Sequence, residues 1–177
     1  MGEIINGIIY GYTVEYDKYG RLIFEGEYLI GKRNGKGKEY YDNGNIQFQG
    51  EYFNNLRWNG KGYDYNGKED FEIKQGKGYG KEYRFYGGQL KFEGQYLNGI
   101  RNGKGKEYYF NGNLLFEGEY FNNEKEGEGR EYYLNNGLLK FDGLFFKGQK
   151  NGFGREYDEN GNLIYEGNYY DGMRFLF

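Results

Sequence analysis

Phe92-Glu93-Gly94-Gln95-Tyr96-Leu97-Asn98-Gly99-Ile100-Arg101-Asn102-Gly103-Lys104-Gly105-Lys106-Glu107-Tyr108-Tyr109, followed by the turn Asn111-Gly112-Asn113-Leu114, is a segment that this chain writes several times over. It restarts at Phe116, and aligned starts fall at Phe24, Phe48, Phe92, Phe116, Phe141 and Tyr165, with spacings of 24, 44, 24, 25 and 24 residues. The long gap holds a degenerate copy that begins near Phe71. Self-similarity at such a period marks a repeat array, in which each unit buries its apolar face on its neighbours. The reading is a single array over 1–177, with a partial unit at 1–23 and repeats at 24–47 and 48–70. A degenerate unit at 71–91 follows, then repeats at 92–115, 116–140 and 141–164 and a partial unit at 165–177.

Composition agrees with thin, locally packed layers. Hydrophobic residues are only 37% of the chain, yet aromatics alone are 22%, so the apolar mass is mostly rings. Too few aliphatics are present for a large conventional core, and too many rings for disorder. The absences exclude whole classes of chemistry. There is no Cys, His, Pro, Ser or Ala, and the only Thr is Thr13. Ser-His-Asp and Cys-His catalysis lack both nucleophile and base, and zinc sites of the usual Cys/His type lack their ligands. No Gly-Lys pair is followed by Ser or Thr, so no Walker loop exists. The expectation is a non-enzyme, with no catalytic, cofactor-binding or metal-binding residues. A net charge of −3 gives no global pull towards nucleic acid or anionic lipid. No run approaches the roughly 18 apolar residues of a membrane span, and Met1 to Gly7 lacks the pattern of a signal peptide. A cytoplasmic location, with membrane or cytoskeletal association as a variation on it, is the expectation.

Two Asn/Gly turns punctuate each unit, one of the Asp42-Asn43-Gly44-Asn45 type and one running from Asn98 to Gly103. Asn-Gly between alternating apolar residues is the strongest short hairpin signal, because both residues tolerate positive φ. Each repeat therefore reads as two short antiparallel strands, and the fold class as all-β, an array of about seven β-hairpins. In the first strand Leu114, Phe116, Gly118 and Tyr120 share one face, and Glu117 and Glu119 the other. The predicted core repeats this triplet as Phe24-Gly26-Tyr28, Phe48-Gly50-Tyr52, Phe92-Gly94-Tyr96, Phe116-Gly118-Tyr120, Phe141-Gly143 and Tyr165-Gly167-Tyr169. A glycine between two aromatics leaves room for a neighbour's ring, so the core should be one ring thick. Tyr40, Tyr108, Tyr132 and Tyr157 recur in the second strand and are read as core too. Their parity groups them with Lys104 and Lys106, which leaves two accounts open: a bulge near Lys106, or lysine stems lying over the rings. Fourteen strands side by side at roughly 4.8 Å would make about 65 Å of sheet. Outer charges read as cross-strand pairs, Glu117 and Glu119 with Lys104, Lys106 and Arg130.

At this point the residues carry a family. Tyr/Phe-Glu-Gly-Glu-Tyr-x-Asn-Gly-x-x-x-Gly-x-Gly, seen at 24–28 (with 31–37), 92–105, 116–129 and 165–169, resembles the MORN repeat. The half-unit Lys106-Glu107-Tyr108-Tyr109-Phe110-Asn111-Gly112-Asn113-Leu114 looks like the variant MORN repeat of the Lys-Glu-Tyr-Tyr-x-x-Gly type. The resemblance spans about residues 10 to 172. It departs from the common unit at Glu107, where an aromatic is usual, and in the broken unit at 56–91. It implies an elongated, twisted single-layer array of antiparallel hairpins. MORN arrays serve as scaffolds and dimerising rods, and lipid association is often proposed for them. Variant-repeat proteins include antitoxin-like or immunity-type bacterial members.

Sharper chemical readings give way to the array. Gly76-Lys77-Gly78-Tyr79-Gly80 lacks the strand–loop–helix setting of a phosphate loop. Asp158 to Asn162 has its glycine in the wrong place for a calcium loop and reads as a hairpin turn. Glu117 and Glu119 sit at glycosidase spacing, but the pair recurs on the solvated face in several copies. Tyrosines interleaved with basic residues have acidic neighbours throughout, which disfavours nucleic acid. Lys32, Arg33, Lys36 and Lys38 would each gain about 1 kcal/mol near an anionic bilayer if acidic residues faced away, which makes anionic lipid the second partner expectation after protein. Candidate interaction residues lie where the repeat breaks, at Trp58, Tyr63, Tyr79 and Phe85, and at the C-terminal Phe175 and Phe177. Self-association through that apolar end is a further expectation.

Overall fold

A computed structural model describes residues 2–175. Among them are sixteen strands and no helix. In chain order these are β1 (Glu3–Ile5), β2 (Ile8–Tyr16), β3 (Leu22–Leu29), β4 (Lys32–Tyr40), β5 (Ile46–Phe53), β6 (Leu56–Tyr63), β7 (Glu69–Ile73) and β8 (Gly78–Tyr83). They continue with β9 (Leu90–Leu97), β10 (Ile100–Tyr108), β11 (Leu114–Phe121), β12 (Glu124–Tyr132), β13 (Leu139–Phe146), β14 (Gln149–Tyr157), β15 (Leu163–Tyr170) and β16 (Met173–Arg174). The chain is an all-β array of antiparallel hairpins, as the repeat predicts. One point differs from the expected continuous sheet. The strands form two sheets, β1 to β7 and β8 to β16, each in chain order. The division falls in the degenerate copy, where β7 and β8 span only 5 and 6 residues and a single bridge, Lys74 to Lys77, joins them. Short strands supply too few ladder bonds to carry the sheet through. The chain also divides into two compact units, residues 1–90 with 96–100 and residues 91–95 with 101–177. That boundary leaves β8 in the first unit and so does not coincide with the division of the sheet.

Each hairpin closes through a two-residue turn in which both residues have positive φ, as in Asn98 (54°) and Gly99 (78°). That geometry matches the right-handed twist of paired strands. The expected longer turn from Asn98 to Gly103 is a correction: strand β10 already begins at Ile100, and Gly103 (φ 97°) sits in a bulge inside the ladder. The wider turns are closed by side chains. Asp158 accepts the backbone N–H of Asn160 and Asn162 at 2.9 and 2.8 Å, an Asx turn in the place where a calcium loop would be.

Register explains the glycines. In the second unit Gly105, Gly118, Gly129, Gly143, Gly154 and Gly167 lie directly opposite one another from strand to strand. The result is a groove without side chains, and the phenylalanine rings lie in it. A Cβ placed on Gly129 would sit 2.6 Å from the Phe116 ring and 3.1 Å from Phe145. Phe24, Phe48, Phe92, Phe116 and Phe141 are fully buried in this way.

Candidate interaction surface

The inner face carries a chain of edge-to-face rings. In the second unit Phe116–Tyr120, Phe116–Phe145, Phe141–Phe145 and Phe141–Tyr169 have centroids 5.6, 5.2, 5.4 and 5.1 Å apart, and Tyr165 ends the series on Tyr169 at 5.2 Å. In the first unit Tyr28–Phe24–Tyr52–Phe48 repeats the pattern. Such pairs contribute about 0.5–1.5 kcal/mol each beyond the area they bury. Gly26 and Gly94 are buried, Gly118, Gly143 and Gly167 are partly buried beneath rings, and Gly50 is partly buried against the backbone of Asn59 and Gly60. Tyr96 belongs to the first unit, where its hydroxyl donates to Glu82 at 2.7 Å.

The rings are roofed by charge, which sequence reasoning missed. Arg33 lies 3.9 Å from the Phe24 centroid, Arg101 4.0 Å from Phe92, Lys125 4.2 Å from Phe116 and Lys150 4.3 Å from Phe141. Each cation is paired with the glutamate that stands opposite the ring's own residue. Arg101 meets Glu107 at 2.9 Å, Lys125 meets Glu131 at 3.2 Å and Lys150 meets Glu156 at 3.5 Å. Longer contacts link successive repeats, from Lys125 to Glu107 and from Lys150 to Glu131, both at 3.9 Å. In the first unit Glu39 lies between Arg33 and Arg57. Burial by itself would raise the Glu39 carboxyl, but the two guanidiniums hold it below the ordinary range. The signal available in the sequence was the recurring glutamate at the Glu107 position, where the common repeat has an aromatic.

The second-strand tyrosines require a correction. Tyr40, Tyr108 and Tyr132 stand on the outer face, where their hydroxyls donate to Glu25, Glu93 and Glu117 at 2.6, 2.6 and 2.7 Å. The expected bulge near Lys106 is present, but it does not turn Tyr108 onto the inner face, and the stems of Lys104 and Lys106 do not cover the rings. The register slips between Glu107 and Tyr108, past Leu115 of the partner strand, so Tyr108 keeps the face of Lys104 and Lys106. Burial and the Glu117 carboxylate push Tyr132 up to about 12. Tyr157 is partly buried at the end of β14. The next tyrosine of each doublet links the repeats instead. Tyr109 donates to the Tyr132 carbonyl at 2.9 Å, Tyr133 to the Tyr157 carbonyl at 2.7 Å and Tyr41 to the Tyr63 carbonyl at 2.8 Å.

On the outer face the expected cross-strand pairs form at Glu117, with Lys106 at 3.6 Å and Arg130 at 4.0 Å, while among the described residues Glu119 and Lys104 enter none. Arg130–Asp142 at 3.4 Å and Arg155–Glu166 at 3.2 Å are further pairs on this face. Beside the two-residue turns it also carries a periodic row of exposed apolar side chains. These are Leu29, Phe53 and Leu97 in the first unit, and Phe121, Phe146 and Tyr170 in the second.

The irregular stretch is largely consumed in packing. Trp58 lies against Phe53 at 5.5 Å, and its carbonyl accepts the Gly76 N–H at 2.7 Å. Phe85 stacks edge-on with Tyr86, Arg21 covers Tyr86 at 4.8 Å, and the Tyr86 hydroxyl reaches Asp17 at 3.2 Å. The break therefore folds back over earlier turns of its own unit. Tyr63 edges an outer groove of about 670 Å³ with Tyr12, and Tyr79 is half exposed. Phe175 is exposed, with its N–H bonded to the Asn168 carbonyl at 2.8 Å; Phe177 lies outside the described residues.

With the hairpin geometry in place, the family comparison is decisive: the MORN-repeat family model matches residues 24–46, 92–114, 116–137 and 141–163, together more than half of the chain. The chain belongs to the MORN-repeat family. A search of curated proteins returned no match. MORN repeats are generally interaction or scaffold modules and typically non-catalytic. The unmatched stretches of this MORN array include β5 to β8, where the sheet divides.

Proposed function

We propose that this MORN-repeat chain is a non-catalytic scaffold that holds protein partners on its outer face. One observation carries the reading: an exposed apolar side chain recurs at the same hairpin position in Leu29, Phe53, Leu97, Phe121, Phe146 and Tyr170. Folding alone does not call for large exposed apolar groups at a fixed period, and rows rimmed by polar residues mark interaction surfaces. The inner face offers less, since its cations and carboxylates are already paired. Anionic lipid has weaker support. Of the basic cluster, Arg33 is turned inward onto Phe24 and Lys38 is paired with Glu25 at 3.2 Å.

The test is quantitative affinity capture from native lysate with the intact chain and with F121S/F146S/Y170S, alongside co-sedimentation with anionic vesicles. The expected result is a set of proteins retained by the intact chain and lost in the triple variant, with no vesicle binding at low salt. Capture indistinguishable from blank beads would sink the scaffold reading.

A further inference from the structure

One repeat breaks its own outer-face pattern. In the regular units a polar side chain lies over the bulge glycine and caps the next backbone N–H. Glu27 accepts from Lys36, and Gln95 accepts from Lys104, each at 2.8 Å. Glu119 occupies the same place over Gly127. In the hairpin of β13 and β14 this position is Leu144, whose Cδ1 would lie 3.0 Å from a Cβ on Gly152. A leucine cannot accept the hydrogen bond. The position of Lys36 and Lys104 is at the same time Phe153. Both side chains are substantially exposed, Leu144 at 40% and Phe153 at 48%, and Phe146 adjoins them. A repeat that surrenders a bulge cap and exposes two apolar groups gains nothing in folding, and such local rule-breaking points to function.

The surroundings are acidic. Glu128 stands directly opposite Leu144 on β12. Glu119 and Glu126 line an adjoining groove of about 620 Å³ together with Phe121 and one cation, Lys104. Glu126 accepts the Lys147 N–H at 3.2 Å. Among the described residues no ion pair engages Glu119, Glu126 or Glu128. Of the nearby cations, Arg130 and Arg155 are held by Asp142 and Glu166, and Lys147 lies over the Phe146 ring at 5.3 Å. Lys104 stands opposite Glu119 without an ion pair to it, so three carboxylates face two free ammonium groups.

Resting on the scaffold reading, we propose that Leu144, Phe146 and Phe153, with the carboxylates of Glu119, Glu126 and Glu128, form a docking surface for a polypeptide segment carrying apolar side chains beside lysine or arginine. Charge decides between occupants. A second copy related by a two-fold axis would bring this carboxylate row against its own image. An anionic bilayer would meet the same repulsion. A basic, apolar segment instead covers the three side chains and neutralises the unpaired carboxylates.

The experiment is selection of random twelve-residue peptides displayed on phage against the full chain, with fluorescence anisotropy on the enriched peptides. L144E/F153K restores the residue types of Glu27 and Lys36, so its thermal midpoint should equal or exceed that of the parent. Enriched peptides should combine Leu, Phe or Trp with Lys or Arg. Their affinity should fall about tenfold or more in L144E/F153K, and E119Q/E126Q/E128Q should weaken binding and flatten its salt dependence. Acidic winners, or affinities unchanged in both variants, overturn the surface while leaving the scaffold reading intact. Absence of any enriched peptide also overturns it, and the scaffold reading falls too only if the lysate capture is blank. Dimerisation in sedimentation, or binding to phosphatidylserine vesicles, that L144E/F153K abolishes would replace the proposed partner with a second copy or a membrane.

Discussion

Single residues in this chain are often chosen by backbone shape before packing. Half of the two-residue turns among the described residues begin with Asn; of the others, one begins with the β-branched Ile30, held at φ 51° with an exposed side chain. A β-branched residue is strained there, at a cost of about 1–2 kcal/mol. Ile30→Asn should therefore stabilise the protein, raising the thermal midpoint by ~2–4 °C for a chain of this size. A calorimetric midpoint that falls would show that Ile30 makes a compensating contact. The Tyr-Tyr doublets teach the opposite lesson. Parity correctly set Tyr108 beside Lys104 and Lys106, yet recurrence alone suggested core. The structure makes Tyr108 an outer-face donor to Glu93 and gives Tyr109 the task of tying one repeat to the next.

Within the hairpin, the alternation Phe-x-Gly-x-Tyr was enough to place the ring-bearing face, because a period of two leaves a strand only two faces. The cation–carboxylate roof was not legible, since it depends on which glutamate stands opposite which phenylalanine and on bulges that the local sequence does not announce. Glu131 lies between Lys125 at 3.2 Å and Lys150 at 3.9 Å, and both lysine side chains are mostly buried. Glu131→Ala removes one of the two carboxylate partners of each lysine, leaving Lys125 with Glu107 and Lys150 with Glu156, and should cost ~1–3 kcal/mol. Glu166→Ala, which frees only the exposed Arg155, should cost less than ~1 kcal/mol. Urea unfolding of the two variants compares them directly, and equal losses would refute the roof as a stabilising element.

At the scale of the molecule, the paired charges and tyrosines define a pH window. Glu15, Glu25, Glu39 and Glu156 are held below their ordinary range, so protonation favours the unfolded chain. Their contribution is complete above the usual Glu value of 4.5 and is lost as pH falls through the lowered folded values. Tyr132 is raised from 10.0 to about 12, and Tyr40 and Tyr169 are raised as well. Their contribution is complete below 10 and is lost as pH climbs through about 12. Urea midpoints should be flat from about pH 6 to 9 and fall on both sides; a midpoint unchanged at pH 3 or pH 12 would contradict the assignment. The repeat by itself determined the all-β hairpins and the inner aromatic face, because Asn-Gly turn chemistry and side-chain alternation are local properties. Only the tertiary structure decided where the sheet divides, which tyrosine of each doublet faces inward, and that Leu144 and Phe153 lie together beside unpaired carboxylates. Those outcomes depend on register between strands, which a bulge shifts by one residue and no single strand encodes.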